Sequence, residues 1–173
     1  MHLLPLLKKL IFQFSMGFTL TFSAVAQTPY DKLLDNMYKN TVPLIKPEEL
    51  SDLMQHNESL VLLDIRSQKE YQVSHLANSM FIDYDSFNKH KISHLNKDAN
   101  IIVYCAVGYR SERVGEKLLD MGFENVRNLY GGIFQWKNQD KPVVDTKGIK
   151  TDSVHTYSKA WSKWLKKGIK VYE

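Results

Sequence analysis

The sequence predicts an α/β domain of three layers, in which helices flank a central, mostly parallel sheet. Three observations lead to this fold class. Apolar runs alternate with segments of helical spacing between residues 42 and 145. The clearest runs are continuous rather than alternating, as in parallel strands that are buried on both faces. The chain has 173 residues, which is the length of one ordinary domain with extensions.

The elements of this domain follow in order along the chain. VPLIKPEELSDLM, from residue 42, predicts a strand and then a helix, with a proline at the helix start and two glutamates in its first turn. Further strands are predicted at 59–66, 78–84 and 100–105, with a short helix or turn after the first of them. SERVGEKLLDMGF predicts a helix that ends at Gly122. A last strand, a pair of glycines and a short helix follow, and we expect Trp136 of that helix to lie in the core.

The N-terminal segment has the pattern of a secretory signal peptide. Lys8 and Lys9 precede an apolar run, and small residues form a cleavage site that ends at Ala26. We therefore assign residues 1–26 to targeting and expect export to the periplasm. Secretion, and a membrane anchor formed by an uncleaved segment, are the alternatives.

Three more segments lie outside the predicted domain, which spans 42–145. Residues 27–41 are predicted to be a lead-in segment, and residues 146–156 a linker. Aromatic and apolar residues at helical spacing predict an amphipathic helix over 157–173. We expect this helix to dock on its own domain, and a membrane surface or a protein partner are the alternatives.

Composition excludes several classes of function. The signal segment holds two lysines and no acidic residue, so the formal net charge of +4 falls to +2 without it. A charge so close to balance gives no argument for nucleic-acid binding. The chain has a single cysteine, so it forms no internal disulfide bond. No other histidine or cysteine lies at ligand spacing from His75, so we predict neither a metal site nor a cofactor.

The single cysteine, Cys105, ends the clearest predicted strand and precedes a short loop and a helix. A thiolate is the nucleophilic form of cysteine, and positive charge or the amides of a helix start stabilise it. Gly108 permits a tight turn, and Arg110 supplies a permanent cation for an anion. The residues predicted to surround the sulfur or border a substrate are Ala106, Val107, Gly108, Tyr109 and Arg110. From these residues alone, a nucleophilic cysteine and an inert buried one both remain open.

Three motifs, in order along the domain, resemble those of the rhodanese-like family of sulfurtransferases. LLDIRSQKEYQVSHL is similar to the family's Asp-x-Arg, Glu-Tyr and Gly-His-Ile pattern, IIVYCAVGYRS to its active-site strand and loop, and LYGGIFQWKNQDKPV to its closing Gly-Gly and Trp motif. The sequence also departs from the pattern. Ser74 replaces the usual glycine before His75, and Asp140 stands where a glycine commonly precedes the final proline.

The resemblance implies a three-layer rhodanese-like domain that transfers a sulfane sulfur through a persulfide on Cys105. A small-molecule donor, such as thiosulfate or a low-molecular-weight persulfide, would load the cysteine, and a thiol or cyanide-like acceptor would discharge it in ping-pong fashion. The loop from 106 to 110 would bind the anion. The residues that the resemblance marks as supports are Ser111, Asp64 and Arg66, together with Glu70 and His75.

Two other functions remain open on this fold. One is a non-catalytic binding module, although such a module has no physical need for a loop that stabilises a thiolate. The other is a phosphatase. Four residues lie between Cys105 and Arg110, as in sulfurtransferases, whereas dual-specificity phosphatases on this fold have five, so loop length disfavours the phosphatase.

Overall fold

The computed structural model describes residues 27–56 and 59–172. The predicted signal peptide, residues 1–26, lies outside the described residues. Within the described ranges, none of the helices has the length and apolar character needed to cross a membrane.

A five-stranded parallel sheet forms the centre of the molecule. In chain order its strands are β1 (Leu44–Ile45), β2 (Leu60–Asp64), β3 (Met80–Phe81), β4 (Asn100–Tyr104) and β5 (Asn125–Leu129). Their order in the sheet is β1-β5-β4-β2-β3, and every neighbouring pair is parallel. The predicted fold class is therefore confirmed, and β4, the strand that leads to the cysteine, lies at the centre of the sheet.

Five α-helices accompany this sheet in the described part of the chain. They are α1 (Pro29–Met37), α2 (Pro47–His56), α3 (Gln68–Val73), α4 (Tyr109–Asp120) and α5 (Gly132–Asn138). Successive residues of a strand point to opposite faces, so β4 contributes to two cores. Ile102 packs with side chains of α1, α2 and α5 on one face. Val103 packs with side chains of α4 on the other face.

The segment predicted as a lead-in, residues 27–41, folds as part of the domain. Thr28 caps helix α1: its hydroxyl accepts a hydrogen bond from the amide of Asp31, whose carboxylate accepts one from the amide of Thr28. Leu34 of this helix is fully buried, and Tyr30 and Tyr38 join the same core. The folded unit therefore begins well before residue 42.

The prediction of an amphipathic helix over 157–173 is wrong. The chain instead forms a 3-10 helix, Trp161–Trp164, and a strand, Ile169–Val171. Tyr157 and Gly168 both have left-handed backbone, with φ of 64° and 96°, which interrupts an α-helix. The apolar spacing misled because side chains three residues apart also align on a 3-10 turn.

The predicted linker, residues 146–156, also contains strands. After β6 (Val143–Val144), the chain forms β7 (Lys150–Thr151) and β8 (Ser153–His155), and β8 pairs in parallel with the last strand, β9 (Ile169–Val171). This C-terminal segment lies against the domain. The ring of Trp164 stacks on that of Tyr30 with centroids 5.6 Å apart, and Leu165 is fully buried.

Candidate active site

Cys105 directly follows β4, at the carboxyl end of the parallel sheet, where open α/β sheets place their sites. The loop from Cys105 leads into α4. Cys105 is only 1% exposed, yet it lines a cleft of about 340 Å³. The thiol therefore forms part of the floor of a concave site instead of lying on an open surface.

The start of helix α4 is turned toward the sulfur. The backbone N–H of Gly108, the N-cap residue of α4, donates a hydrogen bond to the Cys105 Sγ over 3.2 Å. Gly108 has a φ of 95°, and a Cβ at this position would lie 2.1 Å from the hydroxyl oxygen of Tyr38. Only glycine fits both conditions. The amide and the positive end of the helix dipole favour negative charge on the sulfur.

The carbonyl oxygens of the same loop are bound by neighbouring elements. The oxygens of Cys105 and Ala106 accept hydrogen bonds from the amides of Ile133 and Phe134 in α5. The oxygen of Val107 accepts one from the Tyr38 hydroxyl over 2.6 Å. These bonds hold the loop in a single conformation before any substrate arrives, which is the preorganisation that an anion site requires.

Gly132 explains how α5 comes so close to the loop. A Cβ on Gly132 would lie 2.3 Å from the carbonyl oxygen of Cys105. The Gly131–Gly132 pair therefore allows the helix start to dock against the cysteine backbone. The amide of Gly131 also donates to the Tyr38 hydroxyl, which thus bridges the two glycine turns on either side of the site.

Arg110 is held in place by Glu70 of helix α3. Nη1 and Nη2 of Arg110 donate to the two carboxylate oxygens of Glu70 over 2.9 and 2.8 Å. Glu70 is 1% exposed, and its carboxylate also accepts the backbone N–H of Ser67 in the capping box of α3. This bidentate geometry fixes the plane of the guanidinium.

Both members of this pair are charged. Burial would raise the pKa of Glu70, but the hydrogen bonds and charge of Arg110 outweigh it and hold that pKa below the ordinary value. Burial alone would lower the pKa of Arg110, but Glu70 and the nearby Cys105 raise it above its ordinary value. Because the Arg110 charge is matched by Glu70, the guanidinium contributes oriented N–H donors rather than net positive charge to the cleft.

Asp64 and Arg66 form a second pair, deeper in the molecule. Both side chains are fully buried, and Arg66 Nη2 lies 2.7 Å from Asp64 Oδ2. The same nitrogen donates to the carbonyl oxygen of Ser74 at the end of α3. Neither residue lines the cleft. They fix the position of α3, and that helix carries Glu70 to Arg110.

Ser111 supports the loop from the first turn of α4. Its hydroxyl donates to Oδ1 of Asn128 over 2.7 Å, and Nδ2 of Asn128 donates to the carbonyl oxygen of Gly108 over 2.9 Å. All three residues are buried. Asn128 thus links the last central strand to the turn beside the sulfur. His75 makes no contribution to the cleft lining; its ring stacks on Tyr71.

Comparison with known proteins decides the family. The model of the family described as "Rhodanese-like domain" matches residues 46–139. The chain belongs to the rhodanese-like family. Among solved structures, a rhodanese-related protein from Thermoplasma volcanium is 31% identical with a TM-score of 0.52, and the match covers 59% of this chain and 97% of that one.

Two curated proteins share the same region. "Adenylyltransferase and sulfurtransferase UBA4" of Candida albicans is 27% identical over 110 residues, and "tRNA uridine(34) hydroxylase" of Cytophaga hutchinsonii is 34% identical over 102 residues. The matches cover 60% and 57% of this chain. They cover only 24% and 32% of those proteins, so the chain spans a third or less of the curated relatives it matches.

The two departures from the rhodanese-like pattern are compatible with the backbone of this chain. Ser74 has an extended backbone with a φ of −171°, which any residue adopts, so a glycine is not needed. Asp140 has a φ of 59°, in the left-handed region that favours glycine but that aspartate tolerates. The carboxylate of Asp140 also pairs with Lys167 of the C-terminal segment.

Several site contacts come from outside the matched region, and they were not predicted from the sequence. Tyr38 binds the loop from the N-terminal segment, and the amides of Lys39 and Thr41 donate to the buried carboxylate of Glu112 in α4. From the other end of the chain, Tyr157 and Trp161 line the cleft. The sequence signals for these residues were weak: Tyr38, Tyr157 and Trp161 are aromatic residues beside the predicted domain, and Glu112 is an acidic residue at the start of a predicted helix.

Proposed function

We propose that this rhodanese-like protein is an exported sulfurtransferase that carries a sulfane sulfur as a persulfide on Cys105. The observation that carries the proposal is the environment of the thiol. Cys105 lies at the floor of a cleft with an amide N–H on its sulfur and with Arg110 held beside it by Glu70. Membership of the family and the sulfurtransferase named among the relatives support the same activity.

The chemistry consists of two transfers. The Cys105 thiolate attacks the terminal sulfur of the donor, and a new S–S bond forms while the donor's bond to that sulfur breaks. The electron pair of that bond leaves with the donor fragment, as sulfite from thiosulfate or as a thiolate from a low-molecular-weight persulfide. A thiol or cyanide-like acceptor then attacks the outer sulfur and releases the Cys105 thiolate.

The loop acts on the charge that moves during these transfers. The outer sulfur of the persulfide bears negative charge, and it would lie beside the α4 amides and the Arg110 guanidinium. Preorganised donors of this kind stabilise developing charge without reorganisation during the reaction. The chain has no second cysteine to resolve the persulfide, so an external acceptor completes the cycle.

Export is the part of the proposal that rests on residues 1–26 alone. We propose the periplasm as the compartment, on the lysines, apolar run and small-residue site of that segment. Fractionation of cells that express the full chain, with mass measurement of the N-terminus, tests it. A mature N-terminus at Gln27 in the periplasmic fraction is expected, and a full-length chain in the cytosol would contradict export.

The test of the transfer is intact mass spectrometry after exposure of the protein to thiosulfate, and separately to glutathione persulfide. We expect a gain of one sulfur atom that cyanide removes, and no gain in the Cys105→Ser variant. If neither donor adds sulfur while the thiol still reacts with an alkylating reagent, the binding-module function replaces this proposal. An aryl phosphate as substrate serves as the check for phosphatase activity.

A further inference from the structure

The cleft above Cys105 has aromatic and apolar walls from both ends of the chain. Tyr157 and Trp161 come from the C-terminal segment and Met37 from helix α1, and all three lie outside the region that the family model matches. Phe134 of α5 adds a further apolar wall. The cleft, with about 340 Å³, is larger than the transferred sulfur itself requires. These walls are therefore placed to contact the part of a substrate that does not react.

Charge in the cleft does not favour a small dianion. The charged residues among the described cleft lining are Arg110, Asp83 and Asp85. Glu70 balances the charge of Arg110 through the bidentate pair. With Asp83 and Asp85 also present, the described lining of the cleft carries no net positive charge. A doubly charged donor such as thiosulfate would lose hydration in this cleft, and only the loop amides and the guanidinium N–H donors, without a net positive charge, would compensate for that loss.

The exposure and the backbone conformation of Tyr157 are those of a residue positioned for ligand binding. It is 63% exposed and has a φ of 64°, a left-handed conformation that is strained for a bulky residue. The His155 ring accepts its backbone N–H over 3.1 Å and helps to hold this conformation. An exposed side chain with a strained backbone contributes little to the stability of the fold. Backbone strain of this kind is concentrated at ligand sites, where it positions a side chain for binding.

Trp161 completes the wall from the interior side. It is half-buried and packs against the main core while it lines the cleft. Its backbone N–H donates to the carbonyl oxygen of Ser158 over 3.1 Å, which fixes the turn that carries it. An apolar group in the cleft would thus meet one rigid and one exposed aromatic ring.

We infer that the sulfur donor of this protein has an apolar, aromatic-sized body and low charge, and that Tyr157 and Trp161 select it. This inference rests on the sulfurtransferase function proposed above. The donor places its sulfane sulfur at Cys105 and its body against the C-terminal wall. Burial of a ring between these side chains favours such donors over smaller ones by about tenfold or more.

Three donors with the same reacting sulfur test the inference: thiosulfate, methanethiosulfonate and benzenethiosulfonate. In each, the Cys105 thiolate takes the terminal sulfur, the S–S bond of the donor breaks, and sulfite, methanesulfinate or benzenesulfinate leaves with the electron pair. The rate of sulfur addition to Cys105 is measured by quenched mass spectrometry. Each rate is divided by the rate of the same donor with a free thiol in buffer, which removes differences in intrinsic reactivity.

We expect the corrected rate for benzenethiosulfonate to exceed that for methanethiosulfonate by about tenfold, with thiosulfate the slowest. Tyr157→Ala and Trp161→Ala should each lower this ratio by about threefold or more. Tyr172→Ala is the matched control, because Tyr172 is an exposed tyrosine of the same segment that does not line the cleft, and its ratio should equal that of the wild type.

The outcomes separate this inference from the proposed function. Equal corrected rates for the two thiosulfonates, or a ratio that neither Tyr157→Ala nor Trp161→Ala changes, would overturn the inference while sulfur loading still supports a sulfurtransferase. Loading by none of the three donors, and by glutathione persulfide neither, would overturn the sulfurtransferase itself. Loading by glutathione persulfide alone would overturn only the inference. Because Tyr157 is exposed, its substitution tests the wall even if Trp161→Ala fails to fold.

Discussion

Two ion pairs of this domain, Asp64–Arg66 and Glu70–Arg110, have the same chemistry but different surroundings. Asp64 and Arg66 are both fully enclosed and do not reach the cleft, whereas the Arg110 side chain is 23% exposed and lines it. The first pair holds helix α3 through the Ser74 carbonyl. The second uses that helix to orient a guanidinium beside the cysteine. The difference shows how an enclosed pair can fix the helix from which a partly exposed pair reaches the cleft.

The largest effect is expected from Arg66→Met. This change leaves the Asp64 carboxylate buried without its partner, which costs about 3–5 kcal/mol of unfolding free energy. Denaturation in urea measures it. Arg127→Met is the matched control, because Arg127 pairs with Glu49 near the surface, where ion pairs contribute about 0–1 kcal/mol. Equal losses of unfolding free energy in both variants would show that the enclosed pair contributes no more to stability than the exposed one.

Arg110→Met should act mainly on the rate of transfer. Loss of the oriented N–H donors is expected to slow sulfur addition to Cys105 by about 100-fold. Single-turnover loading, followed by mass spectrometry on folded protein, measures this rate. Arg110→Lys should recover only part of it, since an ammonium cannot make the bidentate contact with Glu70. Full recovery by lysine would show that charge alone matters.

Glu70→Gln is expected to slow loading by about tenfold, since the guanidinium loses one charged acceptor that fixes its plane. Its effect on stability depends on pH. Because Arg110 holds the folded-state pKa of Glu70 below the ordinary value of about 4.3, the carboxylate stabilises the fold above that pH. This stabilisation is lost as the pH falls through the folded-state pKa.

Urea denaturation of the wild type and of Glu70→Gln, at several pH values from about 7 to about 3, checks the sign of this pH dependence. The wild type should be more stable than the variant at neutral pH, and the gap should narrow in acid. A gap that widens in acid would contradict the ionised pair.

Tyr38→Phe should have the smallest effect, because it leaves both ion pairs intact. It removes the hydrogen bonds to the Val107 carbonyl and the Gly131 amide, at a cost of about 1–2 kcal/mol. Urea denaturation measures the loss, and amide hydrogen exchange of the loop should rise. If loading falls as far as in Arg110→Met, a neutral contact to the loop matters as much as the charged one.

Local patterns predicted the fold well, and long-range contacts limited the prediction of the site. The continuous apolar runs of β2 and β4 and the turn at Gly108 are properties of neighbouring residues, so the sequence predicted Cys105 at the end of a strand. The central position of that strand in the sheet came only from the structure. Glu70 and Arg110 are 40 positions apart, and nothing local links them. Tyr38 binds a backbone carbonyl, a partner that any residue could provide.

The C-terminal error has a similar origin. Trp161, Trp164 and Leu165 fit a helical stripe, but left-handed backbone at Tyr157 and Gly168 redirects the chain on both sides of them. Gly168 is a residue type that commonly adopts left-handed backbone, so a turn there can be predicted from the sequence. A tyrosine rarely adopts this conformation, so the turn at Tyr157 cannot. The cleft wall formed by this segment therefore could not be derived from spacing.

The depth of Cys105 also bears on oxidation. A disulfide bond needs two sulfurs about 2 Å apart and Cα atoms within about 7 Å. With Cys105 1% exposed at the floor of its cleft, the cysteines of two folded copies cannot approach so closely. Covalent dimers through this cysteine are thereby excluded while the fold is intact. Small oxidants and low-molecular-weight thiols fit the cleft, so its size determines which molecules can oxidise or reduce Cys105.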